Sequence, residues 1–176
     1  MKKSLLLHSC CAPCSTAVLE RLIQDYNVTL FFYNPCILPE NEYLKRLSEQ
    51  ERFLSSLPCP VHLLKGEYHP ERFNEAIRGF EHLLEGGERC VKCYTLRLRE
   101  TVKTAKVGGF DCFTTTLTVS PKKKAAIINP ILAVLGLEYG VETVEEDFKK
   151  KGGYNRSVEL SKEFGLYRQS YCGCGL

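Results

Sequence analysis

The sequence predicts an α/β fold: a mainly parallel sheet with helices on both faces, Rossmann-like, as a single domain over residues 1–176. Three observations carry this. Short apolar runs of strand length alternate with helical patterns from the N-terminus onward. A chain of 176 residues fits one ordinary domain, and 44% hydrophobic residues suffice for its core.

Residues 4–7 form a short apolar run that reads as a buried strand, and residues 15–26 place Val18, Leu19, Leu22, Ile23 and Tyr26 on one helical face. The run VTLFFY over 28–33 is β-branched and aromatic, hence a second strand. A helix follows over about 40–57, with Tyr43, Leu44, Leu47, Leu54 and Leu57 inward. Residues 61–64 make a weaker third strand, and Pro70 opens a short helix to Phe80. A longer helix runs from about Arg89 to Lys106, stopped by Gly108 and Gly109, and carries Cys90 and Cys93 in its first turn. Residues 111–119 (DCFTTTLTV) read as a strand, Pro130 interrupts the helical stretch after it, residues 141–144 are a last strand, and 157–164 a last short helix. Strands alternating with helices require parallel pairing with both sheet faces covered.

No stretch approaches the ~18 apolar residues that span a bilayer. The apolar part of the N-terminal MKKSLLLHSCC is too short for a signal peptide. The expectation is a cytoplasmic protein with no membrane partner. Net charge is only +3, but residues 89–124 hold nine Lys or Arg against two acidic residues, whereas 65–88 hold three against six. A basic surface beside the chemistry follows from this asymmetry.

Ten cysteines in a cytosolic chain of this size point to metal ligation or thiol redox chemistry, because a reducing compartment does not sustain a structural disulfide framework. Cys10, Cys11 and Cys14 lie between the first strand and helix; Cys90 and Cys93 lie at a helix start, with spacing that puts both sulfurs on one face. In parallel sheets ligands gather at the carboxyl ends of strands, and helix N-termini lower thiol pKa values. Spacing alone leaves zinc and iron–sulfur open. Cys172-Gly173-Cys174 can form a strained, readily reduced disulfide of the catalytic kind, or supply further ligands. Cys36, Cys59 and Cys112 stand alone, and a buried inert thiol is the default for each. His8 can ligate, donate a proton or serve the structure. Lys122, Lys123 and Lys124 can hold phosphates or form a solvated face.

Several motifs fall in order along nearly the whole chain: His8-Ser9-Cys10-Cys11-Ala12-Pro13-Cys14, Phe32-Tyr33-Asn34-Pro35, Glu42-Tyr43 with Arg46, Arg89-Cys90-Val91-Lys92-Cys93-Tyr94, Thr114-Thr115-Thr116-Leu117 with Ser120-Pro121-Lys122, and Tyr167-Arg168-Gln169-Ser170-Tyr171-Cys172-Gly173-Cys174. Together they resemble the cobalamin-independent epoxyqueuosine reductase family. The resemblance implies a 4Fe–4S cluster held by Cys10, Cys11, Cys90 and Cys93, and a redox-active pair of Cys172 and Cys174. It also implies an additional iron ion beside the cluster, with Cys14 as a candidate ligand. Cys36 departs from the asparagine expected after Asn34-Pro35.

The implied reaction is a two-electron, two-proton removal of the epoxide oxygen from epoxyqueuosine in the tRNA anticodon, with an external electron donor. Candidate proton donors are His8, Tyr171 or a bound water. Arg89, Arg97, Lys122 and Lys123 are candidate phosphate contacts to tRNA. Two other readings fit part of the sequence: a thioredoxin-like thiol reductase built on Cys11-Ala12-Pro13-Cys14, and a zinc-stabilised RNA-binding module without catalysis.

Overall fold

The computed structural model describes residues 1–175. Its five strands, β1 (Lys3–Ser9), β2 (Tyr26–Phe32), β3 (His62–Lys65), β4 (Cys112–Thr115) and β5 (Glu142–Thr143), form an all-parallel sheet in the order β3-β2-β1-β4-β5. Six α-helices accompany them: α1 (Ala12–Leu22), α2 (Glu40–Ser55), α3 (Pro70–Ala76), α4 (Glu88–Val107), α5 (Ala125–Tyr139) and α6 (Gly153–Glu163). The α/β expectation is met.

Strand alternation divides the core into two layers. Leu5, Leu7, Leu30 and Phe32 face a layer with Val18, Leu19, Phe53 and Phe148. Leu6, Phe31 and Phe113 face the opposite layer with Leu98, Val102, Ile128 and Leu132. Because residues 5–7 of β1 and 30–32 of β2 are buried on both faces, these stretches read as unbroken apolar runs.

Several local expectations are corrected. Helix α1 begins at Ala12, since Pro13 suits a first helical turn, and it ends at Leu22, so Tyr26 opens β2 and is not on the helix. Leu44 is 53% exposed, and the inner face of α2 instead buries Glu42, Arg46 and Gln50 beside Tyr43, Phe53 and Leu54. Strand β4 stops at Thr115, whose side chain accepts the Leu117 N–H and turns Thr116–Val119 into a 3-10 helix. Pro130 does not interrupt α5, which runs through it; burial of Ile128, Leu132 and Leu135 offsets the lost backbone bond.

Strand order reverses at β1. The chain passes from β1 to β2 on one side, while β4 pairs with the other. A crevice opens where connections leave in opposite directions, outside the carboxyl ends of β1 and β4. The first cysteine cluster sits at this point.

Candidate functional site

Chain leaving β1 places Cys10 against the 3-10 turn that follows β4. The Cys10 N–H donates to Thr116 Oγ1 at 3.4 Å, and its sulfur lies 3.7 Å from the same oxygen. Cys11 caps α1 and Cys14 sits in its first turn. The sulfurs of Cys10, Cys11 and Cys14 all lie within 4.8 Å of one another, with Cys10 and Cys11 3.7 Å apart. Three side chains a few residues apart converge because a helix start folds its first turn back over its own N-cap.

This trio forms one wall of a cavity of about 330 Å³ that is also lined by Cys36 and Cys172. The remaining wall comes from Ser120-Pro121-Lys122-Lys123 on one side and Arg168-Gln169-Ser170-Tyr171 on the other. Cys93 hydrogen-bonds Cys36 and packs in the same core layer as Cys36, Cys172 and Cys174, whereas Cys90 packs in the layer that Cys10 joins. The Cys90 sulfur accepts the Gly86 N–H at 3.2 Å. The two α4 thiols thus pack in different layers instead of together on one face as their spacing suggested, and neither lines the cavity. Cys59 is exposed, and Cys112 lies at the amino end of β4 with its thiol on the Ser4 carbonyl, away from the cavity.

Charge accounts for the thiol states. The S–H groups of Cys11 and Cys14 hold the Cys10 thiol well below the ordinary range, overcoming burial, with Lys123 and Arg97 adding positive charge. The bond that lowers Cys10 retains the proton on Cys11, which is pushed up to about 12, and on Cys14, which is raised as well. Cys172 is lowered to about 5 by its bond from Cys174, against burial and with help from Lys123 and Arg97. Cys36 falls to about 7 through its bond from Cys93. One thiolate per cluster, each held by a neighbouring S–H, is the metal-free form of a soft-ligand site.

Arg97 is 2% exposed. Burial opposes its charge, but Cys36, Cys93, Cys10 and Cys172 raise its pKa overall. One of its nitrogens donates to Asn34 Oδ1 at 2.6 Å. Lys123 likewise has its pKa raised by Cys172, Cys10 and Cys14 against the pull of burial. Arg97 is thus a counter-ion inside the site and not at the surface where a phosphate would meet it, and Arg89, 4% exposed, is turned to the Glu81 carbonyl at 3.2 Å. Of the four expected phosphate contacts, Lys122 is exposed at the cavity rim, where it pairs with Glu85 at 3.4 Å, and Lys123 lies partly exposed beside it.

His8 is fully buried on β1. Its Nε2–H donates to the Tyr33 carbonyl at 3.1 Å and its Nδ1 accepts from Thr115 Oγ1 at 2.9 Å. Burial, with Arg97 second, lowers its pKa to about 3. Both ring nitrogens are engaged by protein and His8 does not line the cavity, an arrangement that fits the structural reading of this ring. Tyr171 is 50% exposed and lines the cavity.

Three residues that sequence reasoning did not single out for the cavity stand in its wall: Cys36, Arg46 and Gln169. Arg46 Nη2, Arg97 Nε and Gln169 Oε1 are buried without a hydrogen-bond partner. Unsatisfied buried polar atoms cost free energy, so three of them around one cavity mark groups that a bound species completes. No local signal marked Arg46, because Glu42, Arg46 and Gln50 are spaced four apart like a solvent-facing stripe. For Cys36, adjacency to Asn34-Pro35 gave no spacing from which a site could be read.

Cys10, Cys11 and Cys14 form a donor group that could hold a metal ion or cluster. Thiolates are the ligands of iron–sulfur centres, and buried Arg97 and partly exposed Lys123 offset their charge.

A family model described as Epoxyqueuosine reductase QueH matches residues 5–176. Relatives called Epoxyqueuosine reductase QueH include one from Staphylococcus epidermidis, 40% identical over 179 residues, covering 98% of this chain and 75% of that protein. One from Streptococcus pyogenes is 40% identical over 178 residues, covering 99% and 70%. One from Thermotoga maritima is 36% identical over 174 residues, covering 97% and 88%.

Proposed function

This chain belongs to the epoxyqueuosine reductase QueH family, and from that premise we propose that the cavity at the β1/β4 switch point is where it reduces epoxyqueuosine to queuosine in tRNA. The observation that carries the assignment of site is the convergence of Cys10, Cys11, Cys14, Cys36 and Cys172 on one cavity whose counter-charges are buried. Membership sets aside the thioredoxin-like reductase and the non-catalytic zinc module.

Cys10, Cys11, Cys90 and Cys93 would hold a 4Fe–4S cluster, and Cys14 would supply a ligand to an additional iron. When bound, such a centre supplies single electrons and a Lewis acid for the epoxide oxygen. The chain's own groups do the rest. Cys172 and Cys174 hydrogen-bond each other beside the trio, close enough in the chain and in space to exchange a disulfide and a dithiol, which stores the two electrons the reaction consumes. An external donor reloads them. Tyr171, at the cavity wall, is the side chain placed to give a proton to the departing oxygen, and a bound water is the other source. The buried, partnerless atoms of Arg97 and Gln169 orient the polar face of the modified base. Lys122 and Lys123 at the rim meet the phosphates of the anticodon loop, whose unstacked base reaches the cavity. Among the described residues no helix is long and apolar enough to cross a membrane.

The test is an ultraviolet–visible spectrum with iron and sulfide analysis on protein purified without oxygen, beside Cys90→Ser and Cys93→Ser. A brown protein that bleaches with dithionite, loses its iron in both variants and deoxygenates epoxyqueuosine-containing tRNA is expected. A protein that stays colourless after anaerobic reconstitution and carries zinc overturns the iron–sulfur assignment.

A further inference from the structure

The segment after α6 carries Cys172 and Cys174 but has no regular secondary structure among its described residues, so something outside the sheet must hold it. Polar groups on α2 do so. The Glu42 carboxylate accepts from the Tyr167 hydroxyl at 3.2 Å, and Glu49 accepts the Tyr167 N–H at 2.7 Å. At the cysteine turn the contact narrows to Arg46. This side chain is 2% exposed and its Nε is anchored on Glu42 at 2.7 Å. Its Nη1 donates to the Cys172 carbonyl at 2.9 Å, and its guanidinium lies 5.3 Å from the centre of the Tyr171 ring.

Gly173 fits this arrangement closely. Its φ of +100° lies in the region that L side chains rarely adopt, and a Cβ there would stand 2.8 Å from Arg46 Nη2. The Gly173 carbonyl accepts the Leu38 N–H at 2.7 Å, on the chain entering α2. The backbone of the Cys-Gly-Cys turn is therefore gripped on both sides of Gly173, at the carbonyls of Cys172 and Gly173. Only a planar fork reaches the carboxylate and the carbonyl at once, which a lysine ammonium does not reproduce.

We propose that Arg46 is a positioning residue for the redox pair: its guanidinium latches the Cys172-Gly173-Cys174 turn onto α2 and so holds the Cys172 thiol in the cavity wall with Cys10, Cys11 and Cys14. The latch rests on geometry; its importance for turnover rests on the reading of Cys172 and Cys174 as the electron store.

The experiment compares the anaerobically purified full-length protein with Arg46→Gln, Arg46→Lys and Gly173→Ala, by hydrogen exchange and by steady-state kinetics on epoxyqueuosine-containing tRNA. Arg46→Gln is expected to lose about tenfold or more of the protection at the Leu38 amide and in residues 166–175, while β1 and α4 keep theirs. Its kcat falls by a similar factor at little changed KM, and Arg46→Lys recovers part of both. Gly173→Ala, which leaves Arg46 in place and disturbs the turn from the other side, reproduces the loss even where Arg46→Gln folds poorly. Unchanged protection of the tail in Arg46→Gln or in Gly173→Ala overturns the latch. Full activity in Cys172→Ser would instead sink the electron-store reading, and the exchange result would still decide the latch.

Discussion

The two ends of the chain bring thiols to the same cavity by different physics. Cys10, Cys11 and Cys14 follow a strand whose Leu5, Leu6 and Leu7 are fully buried between two helix layers, so their positions are inherited from the hydrophobic core. Cys172 and Cys174 stand on a segment with no regular structure among its described residues; Leu166 and Cys174 reach the core, and Arg46, Glu42 and Glu49 of α2 hold the rest through directional polar bonds. A strand-borne site is suited to a centre that must not move. A polar, locally held tail is suited to thiols that must change partners, because a few hydrogen bonds open at far lower cost than a core.

The largest effect that would sharpen this contrast concerns metal and activity together. Cys11→Ser is expected to lose iron, sulfide and turnover, whereas Cys172→Ser keeps the iron and sulfide and loses at least about a hundredfold in turnover, as removal of an electron-transferring thiol should. Iron and sulfide content beside a tRNA assay reads both. Equal metal loss in the two variants would break the division between a ligand end and a redox end.

Stability should separate the regions next. Leu7→Ala removes a fully buried side chain and is expected to cost about 2–5 kcal/mol in a urea melt. Tyr167→Phe removes only the hydroxyl that reaches Glu42, and about 1 kcal/mol or less is expected. A larger loss for Tyr167→Phe would show that the tail belongs to the cooperative core.

Titration supplies the third comparison. Cys172, lowered to about 5 by its bond from Cys174, is a thiolate at neutral pH, so its alkylation in metal-free, reduced protein should be level above about pH 6. It should drop about tenfold per unit below pH 5, as the proton returns. Cys11, pushed up to about 12 by retaining its proton toward Cys10, should still be gaining rate at pH 9. Mass spectrometry of the two peptides across pH gives both curves, and an inflection of Cys172 near 9 would remove the thiolate from the tail.

The smallest effect lies at the rim between the two ends. Lys122→Ala should lower the salt slope of tRNA binding by about 1 without touching the metal site, as loss of one phosphate contact requires. An unchanged slope across a salt titration would take Lys122 out of the interface.

Much of this was legible in the linear chain. The alternation of apolar runs with helical patterns encoded the parallel sheet, because residues buried on both faces leave unbroken hydrophobic strings. Short cysteine spacing encoded the cluster of Cys10, Cys11 and Cys14 at a helix start, since geometry within one turn is local. Arg97 read as a surface cation because basic residues usually are, and nothing local reveals that thiols from four separate segments surround it. The polar stripe of α2 was hidden for the same reason: Glu42, Arg46 and Gln50 are spaced four apart like a solvent face, and only their partners at Tyr167, Cys172 and Ser9 show them to be interior.

By itself, then, the sequence determined the fold class, the family and the cysteine trio at the start of α1, because hydrophobic period and short-range spacing are properties of neighbouring residues. Tertiary structure alone decided that His8 is a buried structural ring, that Arg97 and Lys123 balance thiolates, that Cys36 enters the cavity and that Arg46 grips the tail. These depend on contacts between distant segments, such as Arg46 with Cys172, 126 positions apart, around the crevice at the strand-order reversal between β1 and β4.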